Sequence, residues 1–292
     1  MAASTQSTLN LRQSPPISAK EFTELRQFIY DLSGIDIPER RKYLLENRLG
    51  PRLLELGLRT YGEYTMLLRR GPKKDEELKF FFSKITTNET SFFRDLKQLD
   101  VFEKHVLQDV LAERGKLDDK NLHIWSAGCS SGEEPYTLGI MLHEALRMSI
   151  IGWKARITAN DLSPDMIAKA REGLYGDHAL RTTPKDIVNR YFLKETGGYR
   201  IHPKVKKLVS LGLINLNDKL AMKRVPRSHI IFCRNVIIYF DDAMKQKVIA
   251  GFYDNLLPGG YLVLGHSETI HKHSLAFKPL IKPGGIVYRK EA

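Results

Sequence analysis

The stretch whose residue types and spacing could do chemistry is Ser126-Ala-Gly-Cys-Ser-Ser-Gly-Glu-Glu-Pro-Tyr136. A short apolar run, Leu122 to Trp125, leads into it, and an apolar-periodic helix over about 133–146 leaves it. A second unit, Arg156-Ile-Thr-Ala-Asn-Asp161, ends its apolar run on a carboxylate and is followed by Leu-Ser-Pro-Asp-Met166. Strand, small-residue turn, helix, strand, acid is the front half of a doubly wound sheet that holds a nucleoside. Glycines let the backbone come close to a ligand, and Asp161 can accept both ribose hydroxyls. A dinucleotide asks for Gly-x-Gly-x-x-Gly, whose bare amides cradle a pyrophosphate at a helix start. Here the loop carries two glycines, Gly128 and Gly132, with Glu133 and Glu134 at the helix start. Those carboxylates repel a pyrophosphate and suit a ligand bearing an ammonium and a sulfonium. A phosphate-cradling Gly-Lys-Ser/Thr is absent. The loop chemistry favours S-adenosylmethionine over NAD or ATP.

Two further clusters carry polar groups in apolar surroundings. In Ile85-Thr-Thr-Asn-Glu-Thr-Ser-Phe-Phe-Arg-Asp95, Thr90 or Ser91 can cap a helix while Phe92 and Phe93 join the core. That account leaves Asn88 and Arg94 unexplained. In Ile231-Phe-Cys-Arg-Asn-Val-Ile-Ile-Tyr-Phe-Asp241, Arg234 and Asn235 interrupt an apolar run at the carboxyl end of a central strand. Ligands of open α/β sheets bind at that end, and a buried arginine there needs a partner. His271 and His273 read as solvated loop residues, not metal ligands, and no metal is expected. Cys129 and Cys233, far apart in sequence, argue against a disulfide scaffold or zinc site and fit a reducing cytosol.

The elements that must position these groups fall into two halves. Helical spacing predicts four short helices before any strand: from Ser18 to near Gly34, Pro38 to about Leu56, Tyr61–Leu68 and Lys74–Ile85. Pro51 lies inside the second and is a candidate kink. Arg41, Arg48 and Arg52, seven and four residues apart, share one face of that helix. The stripe either docks on an acidic helix or is a solvated face. From Asn121 the pattern alternates strand and helix, with strands at 122–125, 156–160, 230–233 and 261–265 and helices near 133–147, 164–172 and 243–256. A closing hairpin is expected over Ile281–Arg289. Between Tyr175 and Leu213 the alternation breaks into a small antiparallel insertion. The expected organisation is a flexible N-terminus (1–17), a helical domain (18–85), a linker with a connecting helix (86–120), and an α/β doubly wound domain (121–292) with its β insertion at about 176–213.

A chain of 292 residues with 42% hydrophobic content is long enough for one large or two medium domains. A net charge of +12 implies acidic partners (nucleic acid, an anionic membrane or an acidic protein surface), or else a basic surface without special use. Met1 to Ser18 lacks an apolar core, so it is not a signal peptide, and no window reaches the length of a membrane span.

The combination Thr86-Thr-Asn-Glu-Thr-Ser-Phe-Phe-Arg-Asp95, Gly128-Cys-Ser-Ser-Gly-Glu-Glu-Pro-Tyr136, Ala159-Asn-Asp-Leu-Ser163, Cys233-Arg-Asn-Val-Ile-Ile-Tyr-Phe240 and Gly265-His-Ser-Glu268 resembles the chemotaxis receptor glutamate methyltransferases, the CheR family. The resemblance runs in order from about Ser18 to Arg289. It implies a helical N-terminal domain, a doubly wound S-adenosylmethionine domain with a small β insertion, and a cytoplasmic protein-glutamate O-methyltransferase. Its substrate would be the glutamate-rich helical cytoplasmic domain of chemoreceptors. By the same resemblance Asn88, Thr90 and Arg94 line the cofactor, Glu134 or its neighbour Glu133 meets the methionine ammonium, and Asp161 holds the ribose. Asn215 and Leu216, with Arg234 and Asn235, would border the adenine and the sulfonium side. Arg94 and Tyr239 would face the substrate carboxylate. Read from its helical spacing and not from the resemblance, the Arg41, Arg48 and Arg52 stripe is the candidate partner-binding face.

The chemistry agrees with this pattern. A glutamate carboxylate is ionised at neutral pH, so it can attack a sulfonium methyl without a general base. Relatives that tether to a receptor's C-terminal pentapeptide carry a longer glycine-containing loop in the insertion. Here the turn is only Lys194-Glu-Thr-Gly-Gly198, so no tether is expected. Two other readings compete: a non-catalytic S-adenosylmethionine-binding adaptor, and a nucleic-acid methyltransferase suggested by the charge. Against the latter, the Asp/Asn-Pro-Pro-Tyr/Phe motif is missing.

Overall fold

Apolar residues at helical spacing and capped ends build the first four helices. The computed structural model describes residues 14–291. In it α1 spans Ala19–Ser33, α2 Lys42–Glu55 after a 3-10 turn at Glu39–Arg41, α3 Tyr61–Arg70 and α4 Lys74–Ile85. Thr60 and Glu63 close a reciprocal capping box at the start of α3. Helix α2 runs through Pro51 and buries Leu45, Leu49 and Leu53, spaced four apart on its inner face. Of the segment expected to be a flexible N-terminus, residues 1–13 lie outside the described residues. Ile17 is buried and its N–H donates to Glu46 Oε1 at 3.0 Å, so it belongs with the helices. Among the described residues, 14–31 together with Asp36–Ile85 form one compact unit. Leu32–Ile35 and the chain from Thr86 onward form the second.

The second unit opens with α5 (Leu96–Val101), a π-helical stretch (Phe102–Leu107) and α6 (Gln108–Lys116). Ten strands follow. They are β1 (Asn121–Ala127), β2 (Lys154–Asp161), β3 (Leu174–Tyr175), β4 (Phe192–Glu195), β5 (Gly198–Ile201), β6 (Val209–Leu213), β7 (Ser228–Cys233), β8 (Leu256–Leu264), β9 (Phe277–Lys282) and β10 (Gly285–Lys290). The main sheet is ordered β6-β2-β1-β7-β8-β10-β9. Its first five strands are parallel, and the β9–β10 hairpin closes one edge antiparallel. From β1 the chain steps outward one way through β2 and β6, then the other way through β7 and β8. The order therefore reverses between β1 and β7, which opens a crevice at their carboxyl ends.

The period of two along the strands divides neighbouring residues between two cores. Ile124, Ile230, Phe232 and Val263 join Phe102, Tyr136 and Leu142 in one cluster. Trp125, Ile231, Cys233, Leu262 and Leu264 join Val248 and Phe252 in the other. The remaining helices are α7 (Glu133–Leu146), α8 (Pro164–Glu172), α9 (Lys185–Tyr191), α10 (Pro203–Lys206), α11 (Lys219–Arg224) and α12 (Asp242–Asn255). This is a doubly wound α/β unit preceded by an all-helical one.

The insertion differs from expectation at both ends. Its sheet, ordered β3-β5-β4, begins at Leu174, because Tyr175 pairs with Tyr199. It does not include 208–213. Ile157 N–H donates to Leu208 O at 2.7 Å, and β6 continues parallel to β2 as the main sheet's outer strand. Val209 and Leu211 there pack against Ala159 and Ile167, apolar surface that a detached hairpin would leave exposed. The β4–β5 turn needs glycine: at Gly198 (φ +149°) a Cβ would stand 2.3 Å from Tyr175 O.

Candidate functional site at the carboxyl edge of the sheet

The β1–α7 loop is folded by backbone that left-handed residues supply. Gly128 (φ +75°), Ser130 (φ +48°) and Gly132 (φ +97°) all lie in that region. A Cβ on Gly128 would meet Val236 Cγ2 at 2.4 Å, so glycine lets this loop close onto the loop after β7. Gly128 and Cys129 N–H donate to Asn160 O at 2.8 and 3.0 Å. Ser130 N–H donates to Asp161 Oδ2 at 2.8 Å, and Ser163 N–H to Asp161 Oδ1 at 2.9 Å. Asp161 thus organises the loop as well as ending β2. Each of its oxygens keeps a lone pair for a ligand hydroxyl. Burial pushes its carboxyl above the usual range, against the pull of those backbone bonds. Beside it, the buried Asn160 Oδ1 has no hydrogen-bond partner among the described residues.

The two glutamates at the head of α7 are set apart by their partners. Glu133 accepts from Ser131 Oγ at 2.8–3.0 Å, tying its carboxylate to its own loop. Glu134 accepts from Ser126 Oγ at 2.8 Å and faces Arg234, with Nη1 3.5 Å from Oε2. Burial pushes the Glu134 carboxyl upward, and Arg234 draws it back only in part.

Arg234 has the partners that its sequence position demanded. Its side chain is 4% exposed. Nε donates to Gln98 Oε1 at 2.6 Å and Nη2 to Arg94 O at 2.8 Å. Gln98 in turn donates to Leu264 O at the end of β8. One buried guanidinium therefore joins the α7 loop, the Arg94 segment and β7. Neither Gln98 nor Glu268 was anticipated as a site residue. Glu268 accepts four backbone N–H groups: Asn235 and Gly265 at 2.7 Å through Oε2, and Val236 at 3.0 Å and Ile238 at 3.3 Å through Oε1. It holds Asn235 left-handed (φ +59°) and anchors the 3-10 turn Ile237–Tyr239. The Gly265-His-Ser-Glu268 motif was the available signal, but its targets are backbone atoms that no side-chain pattern announces.

The other expected residues are distributed as follows. Asn88 O accepts from Ser130 Oγ at 3.0 Å, and Arg94 Nη1 donates to Glu89 O at 2.9 Å, so this segment lies against the α7 loop. Thr90 is half-buried two residues from Asn88. Asn215 follows β6 at the same edge as Asp161, whose carbonyl accepts from Ile214 N–H at 3.0 Å. Its own side chain donates to Leu32 O and accepts from Asn217 N–H. Leu216 is buried in the core. Tyr239 is half-buried.

Two of the three arginines of the stripe are engaged within the helical unit. Arg41 is exposed and precedes α2. Arg48 Nη1 donates to Ile85 O at 3.1 Å. Arg52 grips Glu77 bidentately at 3.0 and 2.7 Å and stacks over Phe80 at 4.5 Å. The 8%-exposed Glu77 needs that cation, so its pull on Arg52 outweighs any solvated-face geometry. Among the described residues no group of three His, Cys, Asp or Glu side chains could hold a metal ion. Cys129 and Cys233 are buried, with thiols pushed well up by desolvation.

The edge thus offers buried carboxylates lacking a full complement of cations, an unused amide oxygen, and a glycine loop close to the switch point. Those features suit a ligand with an ammonium, a ribose and hydrogen-bond donors. Residues 88–284 match the family model described as the S-adenosylmethionine-binding domain of CheR methyltransferases, and residues 20–86 match the all-alpha domain of the same family. The chain is 33% identical to a chemotaxis protein methyltransferase of Borreliella burgdorferi, over 87% of this chain and 89% of the relative. It is 32% identical to chemotaxis protein methyltransferase 2 of Vibrio cholerae, over 89% of each. Against the chemotaxis protein methyltransferase of Salmonella typhimurium it is 33% identical, over 89% and 88%. The chain belongs to the CheR methyltransferase family, with S-adenosylmethionine as its cofactor.

Proposed function

We propose that this methyltransferase forms methyl esters on glutamate side chains of the helical cytoplasmic domains of chemoreceptors. The observation that carries the reading is the Arg234 junction. It binds Glu134 on the cofactor loop and the Arg94 carbonyl on the opposite side, while its neighbour Asn235 starts the turn bearing Tyr239. Bound S-adenosylmethionine supplies a methyl group made electrophilic by the sulfonium.

The chain's own groups then have separable tasks. Asp161 would take the ribose hydroxyls, Glu134 the ammonium, and Asn88, Thr90, Asn215, Leu216 and Asn235 the remaining cofactor surface. Arg94 would orient the substrate carboxylate and Tyr239 would hydrogen-bond it. Because a glutamate is already ionised at neutral pH, the residues need only hold it in line and exclude water. Arg234, nearly closed to solvent, positions the site and does not touch the substrate.

The substrate would be met in the cytoplasm, and the short Lys194–Gly198 turn supports a reaction that needs no C-terminal receptor tether. The test is to supply methyl-labelled S-adenosylmethionine with receptor-bearing membranes, tRNA or DNA. Base-labile label in the receptor is expected. Label in nucleic acid, or in neither, removes the assignment.

A further inference from the structure

The parallel strands begin at the end of the sheet opposite the candidate site, and four of them begin beside a base. Lys120 immediately precedes β1, Lys154 opens β2, Lys207 stands two residues before β6, and Arg227 immediately precedes β7. All four are exposed. Among the described residues none of the four forms an ion pair with a carboxylate, and Arg227 Nη2 donates to Leu256 O at 3.1 Å. Lys154 N–H donates to Lys120 O at 2.8 Å, so the turn leaving α6 lies against the turn entering β2.

Those two turns hold apolar side chains in water: Leu117 is 63% exposed, Met148 81% and Ile151 83%. The 3-10 turn Arg147–Gly152 that carries two of them buries none of its residues. Its first residue has φ +48°, a left-handed conformation that costs free energy in a non-glycine residue. Folding gains nothing from presenting aliphatic groups this way, so a surface outside the chain accounts for them better.

We propose that this end of the sheet docks peripherally on an anionic lipid surface. Lysines and arginines near a charged leaflet each add attraction, and aliphatic side chains gain by entering the headgroup and acyl boundary. Nucleic acid fits less well, since its single-stranded binders rely on aromatic and arginine planes for stacking. Lipid bound here leaves the carboxyl edge, with Asp161 and Glu134, facing away from the membrane.

The test is co-sedimentation of the full chain with phosphatidylcholine vesicles, with and without phosphatidylglycerol. The wild type should pellet only with the anionic vesicles and be released by high salt. K120E/K154E should weaken apparent affinity by more than about tenfold, and M148S/I151S by about fivefold. Unchanged S-adenosylhomocysteine binding in both variants shows that the sheet is intact. Three results would each overturn the proposal: no sedimentation of the wild type, lipid binding indifferent to M148S/I151S, or tighter retention on duplex DNA than on the anionic vesicles.

Discussion

Asp161 organises its loop and is also the proposed ribose acceptor. Replacing it with alanine removes the acceptor for Ser130 and Ser163 N–H as well as the proposed ribose contact. Asp161→Ala should weaken S-adenosylhomocysteine binding by on the order of 1.5–3 kcal/mol, the scale of hydrogen bonds to a charged group. Calorimetry on the folded variant decides, and unchanged affinity would take Asp161 out of the ribose site. Tyr239→Phe separates the two halves of the site. It should lower kcat while leaving cofactor affinity nearly intact, because its proposed partner is the substrate carboxylate. Normal kcat with lost cofactor binding would put Tyr239 on the wrong side. Residue type and place at a strand end made Asp161 stand out in the sequence, whereas Glu134, at the head of α7, was singled out only by the resemblance and with Glu133 as its alternative. Gln98 and Glu268 were not legible, because each acts on backbone or on a partner distant in sequence, and such pairings exist only once the sheet is formed.

At the scale of elements, α2 shows how a surface pattern misleads. The heptad spacing of Arg41, Arg48 and Arg52 predicts a shared face, yet Glu77 on α4 claims Arg52. Burial pushes the Glu77 carboxyl up, but hydrogen bonds from Arg52 and Tyr64 outweigh it and hold it below the ordinary value. Arg52→Ala strands a buried carboxylate, so it should destabilise the helical unit by on the order of 3 kcal/mol. Thermal unfolding would show it, and a fall in receptor methylation without any loss of stability would return Arg52 to the partner surface. The loop after β7 is the second case. Glu268→Gln replaces an acceptor-only carboxylate with an amide that must turn two donors toward backbone donors. It should loosen the turn bearing Asn235 and Tyr239, raising KM and lowering kcat together, while circular dichroism stays native. Kinetics equal to wild type would mean that the loop needs no clamp. Helix and strand periods fixed most elements correctly. One exception was the Leu208–Leu211 run, too short to reveal whether it pairs with the insertion or with β2.

The whole molecule carries opposite chemistry at the two ends of one sheet, acidic at the carboxyl edge and basic where the strands begin. One group in each unit should also lose its contribution to stability at a different pH. His229, at the start of β7, is half-buried, and its Nδ1 accepts from His123 N–H at 3.1 Å. Burial pushes its imidazole down to about 4, from an ordinary value of 6.5. Within that window the unfolded chain binds a proton that the folded chain refuses, so stability is full above the ordinary value and drains away as pH falls toward 4. Glu77 works with the same sign in the helical unit, but its loss comes as pH falls through a value below the ordinary carboxylate range. The His229 contribution to the sheet unit should therefore be lost at higher pH than the Glu77 contribution to the helical unit. His229→Asn keeps an acceptor near the Nδ1 position while removing the titration. Melting temperatures of wild type and variant from pH 7 to pH 4 should converge or cross as pH falls, the variant losing less between the pH limits set by the two values. Parallel curves across that range would mean that His229 titrates in the folded protein as it does in the unfolded chain. The acid sensitivity would then belong to the rising positive charge of a chain already at +12 at neutral pH.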